Sequence, residues 1–196
     1  MGLLELIVKT GIADAIATQL GGLRGNNNAI AETIENNVRR KIIKEHLSDP
    51  AYYEKMSALL DEIITARKAK AMEYEEYLKH IADLAQRVEV GLAEDTPEPL
   101  KNSPALRALY NNLKKAGGTP AGAERVAEAG AEYTASDDPD LELALKIDAT
   151  VKRVRPDGWR GVQAREQVIK AALYEILLDE AEVERIFLII RAQREY

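Results

Sequence analysis

Two long apolar stripes with helical spacing meet at Ser48-Asp49-Pro50, and they constrain the fold more than any other feature of the chain. The first stripe has an apolar residue at every fourth position, widened at its end: Ile30, Ile34, Val38 and Ile42, with Ile43 and Leu47. This spacing matches one helix face, whereas a strand would alternate every second residue. Asp49 can cap a second helix, because its carboxylate accepts hydrogen bonds from free amides while Pro50 has no amide donor to satisfy.

The second helix is predicted to run from Pro50 towards Val90 as a long arm. Its stripe is dense at both ends: Tyr53, Met56, Leu60 and Ile63, then Tyr74, Leu78, Ile81, Ala85 and Val88. Steps of three and four residues are typical of helices that pack along their neighbours. An unbroken arm would be about 60 Å long. The stripe thins between Thr65 and Ala71, so a break or kink near Arg67 to Met72 remains an open alternative.

Further helices are predicted on both sides of this pair. Residues 3–20 carry a short amphipathic pattern that stops at Gly21-Gly22. Helix starts are predicted where a capping side chain precedes a proline or lies three residues before a glutamate: Ser103-Pro104, Asp138-Pro139 and Asp179 with Glu182. The helix that starts near Val162 has Val168, Ile169, Ala172, Leu173, Ile176 and Leu177.

Two segments are predicted to lie outside the main helices. Residues 93–102 contain acidic residues and prolines with little apolar content, which predicts a surface linker. Residues 119–138 are rich in Ala and Gly and are predicted to be the least ordered part, with a short helix at 121–133 as the alternative.

These patterns predict an all-α fold, an irregular multi-helix bundle of about seven or eight helices with one long helical arm and no sheet. We expect residues 1–92 to form the N-terminal helices with the central arm, 93–102 the linker, and 103–196 the C-terminal helical part of one domain. The opening helix starts without a leader, so we expect the chain to be a piece of a longer polypeptide.

Charge and composition narrow the functional classes. The formal net charge is -6, which disfavours an autonomous binder of duplex DNA. Only residues 152–170 are locally basic, with six Lys or Arg against two Asp or Glu. The chain has no cysteine, no secretory signal and no apolar run near the roughly 20 residues that span a bilayer, so we expect a cytoplasmic protein without membrane contact.

The motifs of common active sites are not found. Gly117-Gly118-Thr119-Pro120 lacks the lysine of a phosphate-binding loop. The two histidines, His46 and His80, have no glutamate three residues before them, as a di-iron bundle would need. With no predicted strand, a metal-dependent nuclease has no sheet edge for its ligands. The sequence therefore predicts no catalytic, cofactor-binding or metal-binding residue.

The candidate interface residues are cationic, with one tryptophan among them. Arg39, Arg40 and Lys41 form a basic run that is either a solvated helix face or a contact for phosphate or an acidic partner. The later set is Lys152, Arg153, Arg155, Trp159, Arg160 and Arg165, followed by Lys170. Trp159 lies in the turn RPDGWRG, where it either plugs a helix junction or is exposed as an interface hot spot.

Five sequence segments resemble a known protein family: AETIENNVRRKII (31–43), DPAYYEKMSALLDEIITARK with EYEEYLKHI (49–81), SPALRALYNNL (103–113), RPDGWRG (155–161) and DEAEVERIFLIIRAQREY (179–196). In this order they resemble the C-terminal helical region of the R subunit of type I restriction-modification enzymes. The resemblance spans nearly the whole chain.

The resemblance implies a non-catalytic assembly role. The R subunit is an ATP-dependent DNA translocase and endonuclease, and its nuclease and helicase-like domains precede the region that this chain resembles. ATP and Mg²⁺ are therefore expected only in those domains, with no cofactor in this chain. The expected partners are those upstream domains and the modification and specificity subunits, with DNA present only within the complex. The alternative is an accessory module that contacts the DNA backbone through the basic strip 152–170.

Overall fold

The computed structural model describes residues 1–92, 96–115 and 138–196. Over these ranges it contains nine α-helices and no strand, which confirms the predicted all-α class. The helices are α1 (Leu3–Thr10), α2 (Ile12–Gln19), α3 (Asn27–Glu45), α4 (Pro50–Lys68), α5 (Tyr74–Val90), α6 (Pro104–Lys115), α7 (Pro139–Val154), α8 (Gln163–Leu177) and α9 (Glu180–Ala192). Short 3₁₀ turns lie at Gly21–Leu23 and Glu98–Leu100. The helix predicted at 121–133, and the region 119–138 but for Asp138, lie outside the described residues.

The internal contacts of the chain divide it into two compact units. The first unit is Met1–His46 with Tyr52–Thr96, and the second is Leu47–Ala51 with Pro97–Tyr196. Each unit has its own apolar core, made in the first by helices α1 to α5 and in the second by α6 to α9. The second core includes Leu100, which is fully buried although it belongs to the predicted surface linker.

The opening pattern forms two helices rather than one, because Gly11 separates them. Gly11 has φ +87°, a conformation that residues with a Cβ rarely adopt. Its amide closes α1 by donating to the carbonyl of Ile7, and its own carbonyl accepts from Ala15 at the start of α2. This split is one reason that the helix count exceeds the prediction.

The apolar stripe of α3 is confirmed at its four central positions. Ile34 and Val38 are fully buried, and Ile30 and Ile42 nearly so. The predicted widening is wrong, since Ile43 is 69% exposed and Leu47 is 74% exposed. Ile43 is exposed because it follows the buried Ile42 by one residue, which places it about 100° around the helix from the buried face.

The predicted arm is broken, as the open alternative allowed. The amide of Ala71 donates to the carbonyl of Ala66 at 2.9 Å, and the amide of Lys70 donates to that of Arg67 at 3.0 Å. These two bonds, with Lys70 at φ +53°, form a Schellman motif, the usual way in which a helix ends on a left-handed residue. The position normally taken by glycine is occupied by Lys70.

Helices α4 and α5 consequently run antiparallel and form a hairpin. The Tyr52 hydroxyl, near the start of α4, donates its one proton to the carbonyl of Arg87 in the last turn of α5, at 2.8 Å, and the carbonyl of Leu92 just beyond α5 lies 3.2 Å away. At the other end, the Arg67 guanidinium of α4 lies 5.7 Å from the ring centroid of Tyr77 in α5.

A buried ion pair joins the hairpin to α3. Arg67 donates through Nε and Nη2 to the two carboxylate oxygens of Glu35, at 2.7 and 3.1 Å. The two side chains are only 12% and 6% exposed. Tyr77 is fully buried beside them, and its hydroxyl donates to the carbonyl of Ala31 at 3.3 Å. Burial first, and then the negative charge of Glu35, raise the pKa of Tyr77 well above its usual value.

Three predicted local caps are confirmed in the second unit. The Ser103 hydroxyl accepts from the amide of Leu106 at 3.3 Å. Asp138 accepts from two amides in the first turn of α7, and Asp179 accepts from the amide of Glu182 at 2.9 Å.

Other helix ends in this unit use side chains from distant parts of the sequence. Glu195 accepts from the amide of Ala105 at 3.2 Å, which places a carboxylate at the start of α6. The predicted cap residue Asp49 accepts from the side-chain amides of Asn111 and Asn112, at 2.8 and 2.9 Å. The Asn112 side-chain oxygen in turn accepts from the amide of Ala51 at 3.2 Å.

Replacing Lys70 by glycine is expected to stabilise the first unit. Lys70→Gly relieves the left-handed strain of an exposed residue, and we expect a gain of about 0.5 kcal/mol after the entropy cost of glycine. Lys55→Gly is the matched control: it makes the same change on the exposed face of the α4 interior, where it should cost about 1 kcal/mol. Urea denaturation compares the two, and equal losses in both variants would contradict the role given to Lys70.

Burial of Tyr77 predicts that stability falls at alkaline pH. Its folded-state pKa is raised, so this stabilising contribution is complete below the unfolded pKa of about 10 and declines above it, by up to about 1.4 kcal/mol per pH unit. Tyr77→Phe should flatten the pH dependence of the free energy of unfolding. An equal slope in wild type and Tyr77→Phe would refute this account.

Candidate functional site

The candidate site is built on the turn between α7 and α8, residues 155–161. Gly158 has φ +58° there, and a Cβ at this position would lie 3.3 Å from the Arg165 guanidinium. This close approach lets Arg165 Nη1 donate to the carbonyls of Asp157 and Gly158, at 2.6 and 3.3 Å. Arg165 thereby holds the turn in shape.

Trp159 is buried in the core of the second unit, which corrects the interpretation of an exposed hot spot. The residue is 3% exposed, and its ring centroid lies 5.8 Å from that of Phe187 in α9. The apolar indole gains more from burial against α9 than from display in the turn. Its Nε1 is buried and has no acceptor within the described ranges, so part of this gain is offset.

Arg160 lies over Trp159 and binds the end of α9. Its guanidinium carbon is 4.6 Å from the indole centroid. Nε donates to the carbonyl of Arg191 at 3.2 Å, and Nη2 donates to that of Gln193. These carbonyls lie at the negative end of a helix, where a cation is favourable. Arg160 is therefore a structural clamp, and two of its five N–H donors are engaged in the fold.

The other cations of the strip differ in how far they are engaged. Lys152 pairs with Asp148 at 2.9 Å, and Lys170 Nζ lies 2.6 Å from Glu184 and 4.7 Å from the Phe187 ring centroid. Arg155 makes one long bond of 3.4 Å to the carbonyl of Glu195. Arg153 is exposed and has no polar partner in the described parts of the chain.

The basic run of α3 belongs to the first unit and is also partly paired. Arg39 lies 2.6 Å from Asp61 of α4. Lys41 lies 3.6 Å from Glu45 and 3.6 Å from Glu89 of α5. Arg40 is exposed without a described partner. The structure thus places the two predicted basic sets in different units and gives most of their cations intramolecular partners.

Tyr196 and Asp148 form a buried polar pair that sequence reasoning missed. The Tyr196 hydroxyl donates to the Asp148 carboxylate at 2.7 Å. Burial and this carboxylate raise the pKa of Tyr196 well above its usual value. Tyr196 also lines a cleft of about 190 Å³ with Arg155, Trp159 and Arg160. No local sequence pattern could predict this pairing, because the two residues are 48 positions apart.

A second missed feature is an apolar stripe on the solvent side of α8. We call it the α8 outer face, and its residues are spaced by three or four positions: Ala164, Val168, Ala171, Tyr174 and Leu178. Val168 is 47% exposed, Tyr174 46% and Leu178 71%. The opposite side of α8 has the fully buried Ile169 and Leu173. The regular spacing was a readable signal, but the prediction named Val168 together with Ile169 and Leu173 and did not distinguish two faces.

The hairpin of the first unit encloses a groove between its two helices. We call it the hairpin groove, and its volume is about 330 Å³. Its floor is apolar and its rim is charged: Leu59, Ile63, Ala66, Met72 and Leu84, then Glu62, His80, Asp83 and Arg87. The sequence pattern could not reveal a groove that exists only because the arm folds back.

The described residues contain no cluster of three or more His, Asp or Glu side chains that could hold a metal ion. None of the helices in the described ranges has the length and apolar character required to cross a membrane. Comparison of the chain with protein-family models, curated proteins and solved structures found no match.

The burial of Trp159 gives a direct test. Trp159→Ala should lower the free energy of unfolding of the second unit by about 3–5 kcal/mol, because it leaves a cavity against Phe187. Arg153→Gln, an exposed change in neighbouring α7, should stay within about 0.5 kcal/mol of wild type. Urea denaturation followed by circular dichroism measures both, and a Trp159→Ala variant as stable as wild type would show that the indole is dispensable for packing.

Proposed function

We propose that this chain is the non-catalytic helical assembly domain of a type I restriction enzyme R subunit. In this role it docks the ATP-dependent DNA translocase and endonuclease onto the modification subunits, which carry the methyltransferase. Five phrases in family order support the proposal, namely 31–43, 49–81, 103–113, 155–161 and 179–196. The structural observation that carries it is the α8 outer face.

The α8 outer face has the character of a binding surface. A helix at the surface of a monomer normally turns one apolar face inward and one polar face to water. Helix α8 instead buries Ile169 and Leu173 while it exposes Val168 and Tyr174 on the other side. Contiguous exposed apolar residues are typical of protein interfaces, and the central aromatic side chain suits an anchor. This arrangement favours docking of a partner protein along α8.

The alternative is contact with the DNA backbone by the strip 152–170. In this strip, Arg160 and Arg165 donate to backbone carbonyls, and Lys170 is paired with Glu184. A phosphate would have to compete for these donors. Arg153 and Arg155 are the cations best placed to support the alternative, and two cations give little counterion-release affinity.

The proposal also assigns the surrounding functions. The chain alone has no enzymatic activity in this account, and ATP and Mg²⁺ act in the upstream motor and nuclease domains. Site recognition belongs to the specificity subunit, and the complex works in the cytoplasm, where it meets DNA. Turnover of ATP or DNA by the isolated chain would overturn this assignment.

A capture experiment with purified modification and specificity subunits of the same system tests docking. We expect wild type to be captured and Val168→Glu to lose about tenfold or more in affinity, because the new carboxylate would be buried without a partner. Val90→Glu is the matched control: Val90 is 44% exposed, close to Val168, but lies on α5 of the first unit. Its capture should equal that of wild type.

Two outcomes would contradict the docking proposal. One is equal capture of wild type, Val168→Glu and Val90→Glu, which would remove the α8 outer face from the interface. The other is capture by a short DNA duplex at low salt but not by the protein subunits. If Arg153→Glu with Arg155→Glu then abolished DNA capture, the backbone-contacting alternative would replace docking.

A further inference from the structure

The hairpin groove has a size and lining suited to a ligand, and it lies in the first unit, apart from the proposed α8 docking face of the second. Its volume of about 330 Å³ falls in the range of small-ligand sites. The groove exists because the Schellman turn at Lys70 returns α5 along α4. Tyr52 closes the far end of the hairpin, so the two walls are held at both ends.

The floor of the groove is apolar and only partly covered. Leu59, Ile63 and Met72 pack on the core of the first unit without being fully buried, and Leu84 is 3% exposed. An aliphatic chain laid on this floor would remove apolar surface from water on both sides.

The rim selects the charge of the occupant. Glu62 and Asp83 are exposed on opposite walls, and neither carboxylate has a partner within the described residues. The other rim residues are Arg87, which has a polar interaction of its own, and His80, which lies 3.8 Å from Glu76. The charged groups of the rim thus include two carboxylates without a described partner, those of Glu62 and Asp83, and one guanidinium, that of Arg87. A cation is therefore the complementary ligand.

We propose that the hairpin groove binds a lysine or arginine side chain of a partner protein. The aliphatic stem lies over Ile63 and Met72, and the cationic head is shared by Glu62 and Asp83. Long basic side chains are suited to such a site, because they bury their methylene stems while the charged end stays at the surface. Charge-assisted hydrogen bonds to the carboxylates fix the head group.

The test uses the whole chain with ¹³C-labelled methionine methyl groups. Met72 lines the groove and reports binding, whereas Met56, 2% exposed in the core, reports any global change. The probes are the Nα-acetyl methylamides of lysine and norleucine, which share an aliphatic stem and differ in the cation. We expect saturable shifts of the Met72 signal with a roughly millimolar Kd for the lysine probe, about fivefold tighter than for norleucine.

Variants separate the rim from the floor. Glu62→Gln combined with Asp83→Asn should reduce lysine binding to the norleucine level. Glu75→Gln, an exposed change on α5 outside the groove, should leave it unchanged. Equal binding of the two probes to wild type, shifts at Met56 as large as at Met72, or no saturable shift would each overturn the proposal. These outcomes are independent of the capture experiment on α8.

Discussion

The polar groups at helix ends are the constraint on which the rest of this structure depends. The nine helices of the described ranges, 8 to 19 residues long, leave many amides and carbonyls without an intrahelical partner, and each costs free energy if it is buried unpaired. Tyr52 and Arg160 donate hydrogen bonds to carbonyls at the ends of α5 and α9, and Glu195 accepts one from an amide at the start of α6. Because each of these side chains comes from another helix or a connecting segment, satisfying the helix ends also fixes which segments pack together in each unit.

The sequence separation between a capping side chain and the helix end that it binds decides how well that part of the fold can be predicted. Asp138 and Asp179 cap the helices that follow them directly, so their roles were readable. Asn112 and Glu195 act on helix starts 61 and 90 residues away, and no local pattern encodes such a pairing. The buried stripe of α3 was predicted because it depends on spacing alone. The break at Lys70 was only an open alternative, since no glycine or proline marks it.

The candidate site was harder to predict than the fold, because the sequence does not show which charged side chains are paired within the protein. Sequence gives the sign and position of a charge, and residues 152–170 are indeed basic. It does not give the partner, and in the structure some of the N–H donors of Arg160 and Arg165 bind backbone carbonyls within the same unit. Trp159 posed the same ambiguity between interior and surface, and contact with Phe187 resolved it. The spacing of the α8 outer face was readable in the sequence, but only burial distinguished its exposed side from its buried side. The hairpin groove became recognisable only in the structure.

The burial of Trp159 means that tryptophan fluorescence reports on only one of the two units. Trp159 is the single tryptophan of the sequence, and it lies in the second unit, while the first unit contains only tyrosines as fluorophores of consequence. Excitation at the red edge of the absorption band therefore observes one unit, whereas helical ellipticity observes both. Coincident transitions in the two signals would mean that the units melt as a single cooperative block, and separated transitions would assign a distinct thermal limit to each.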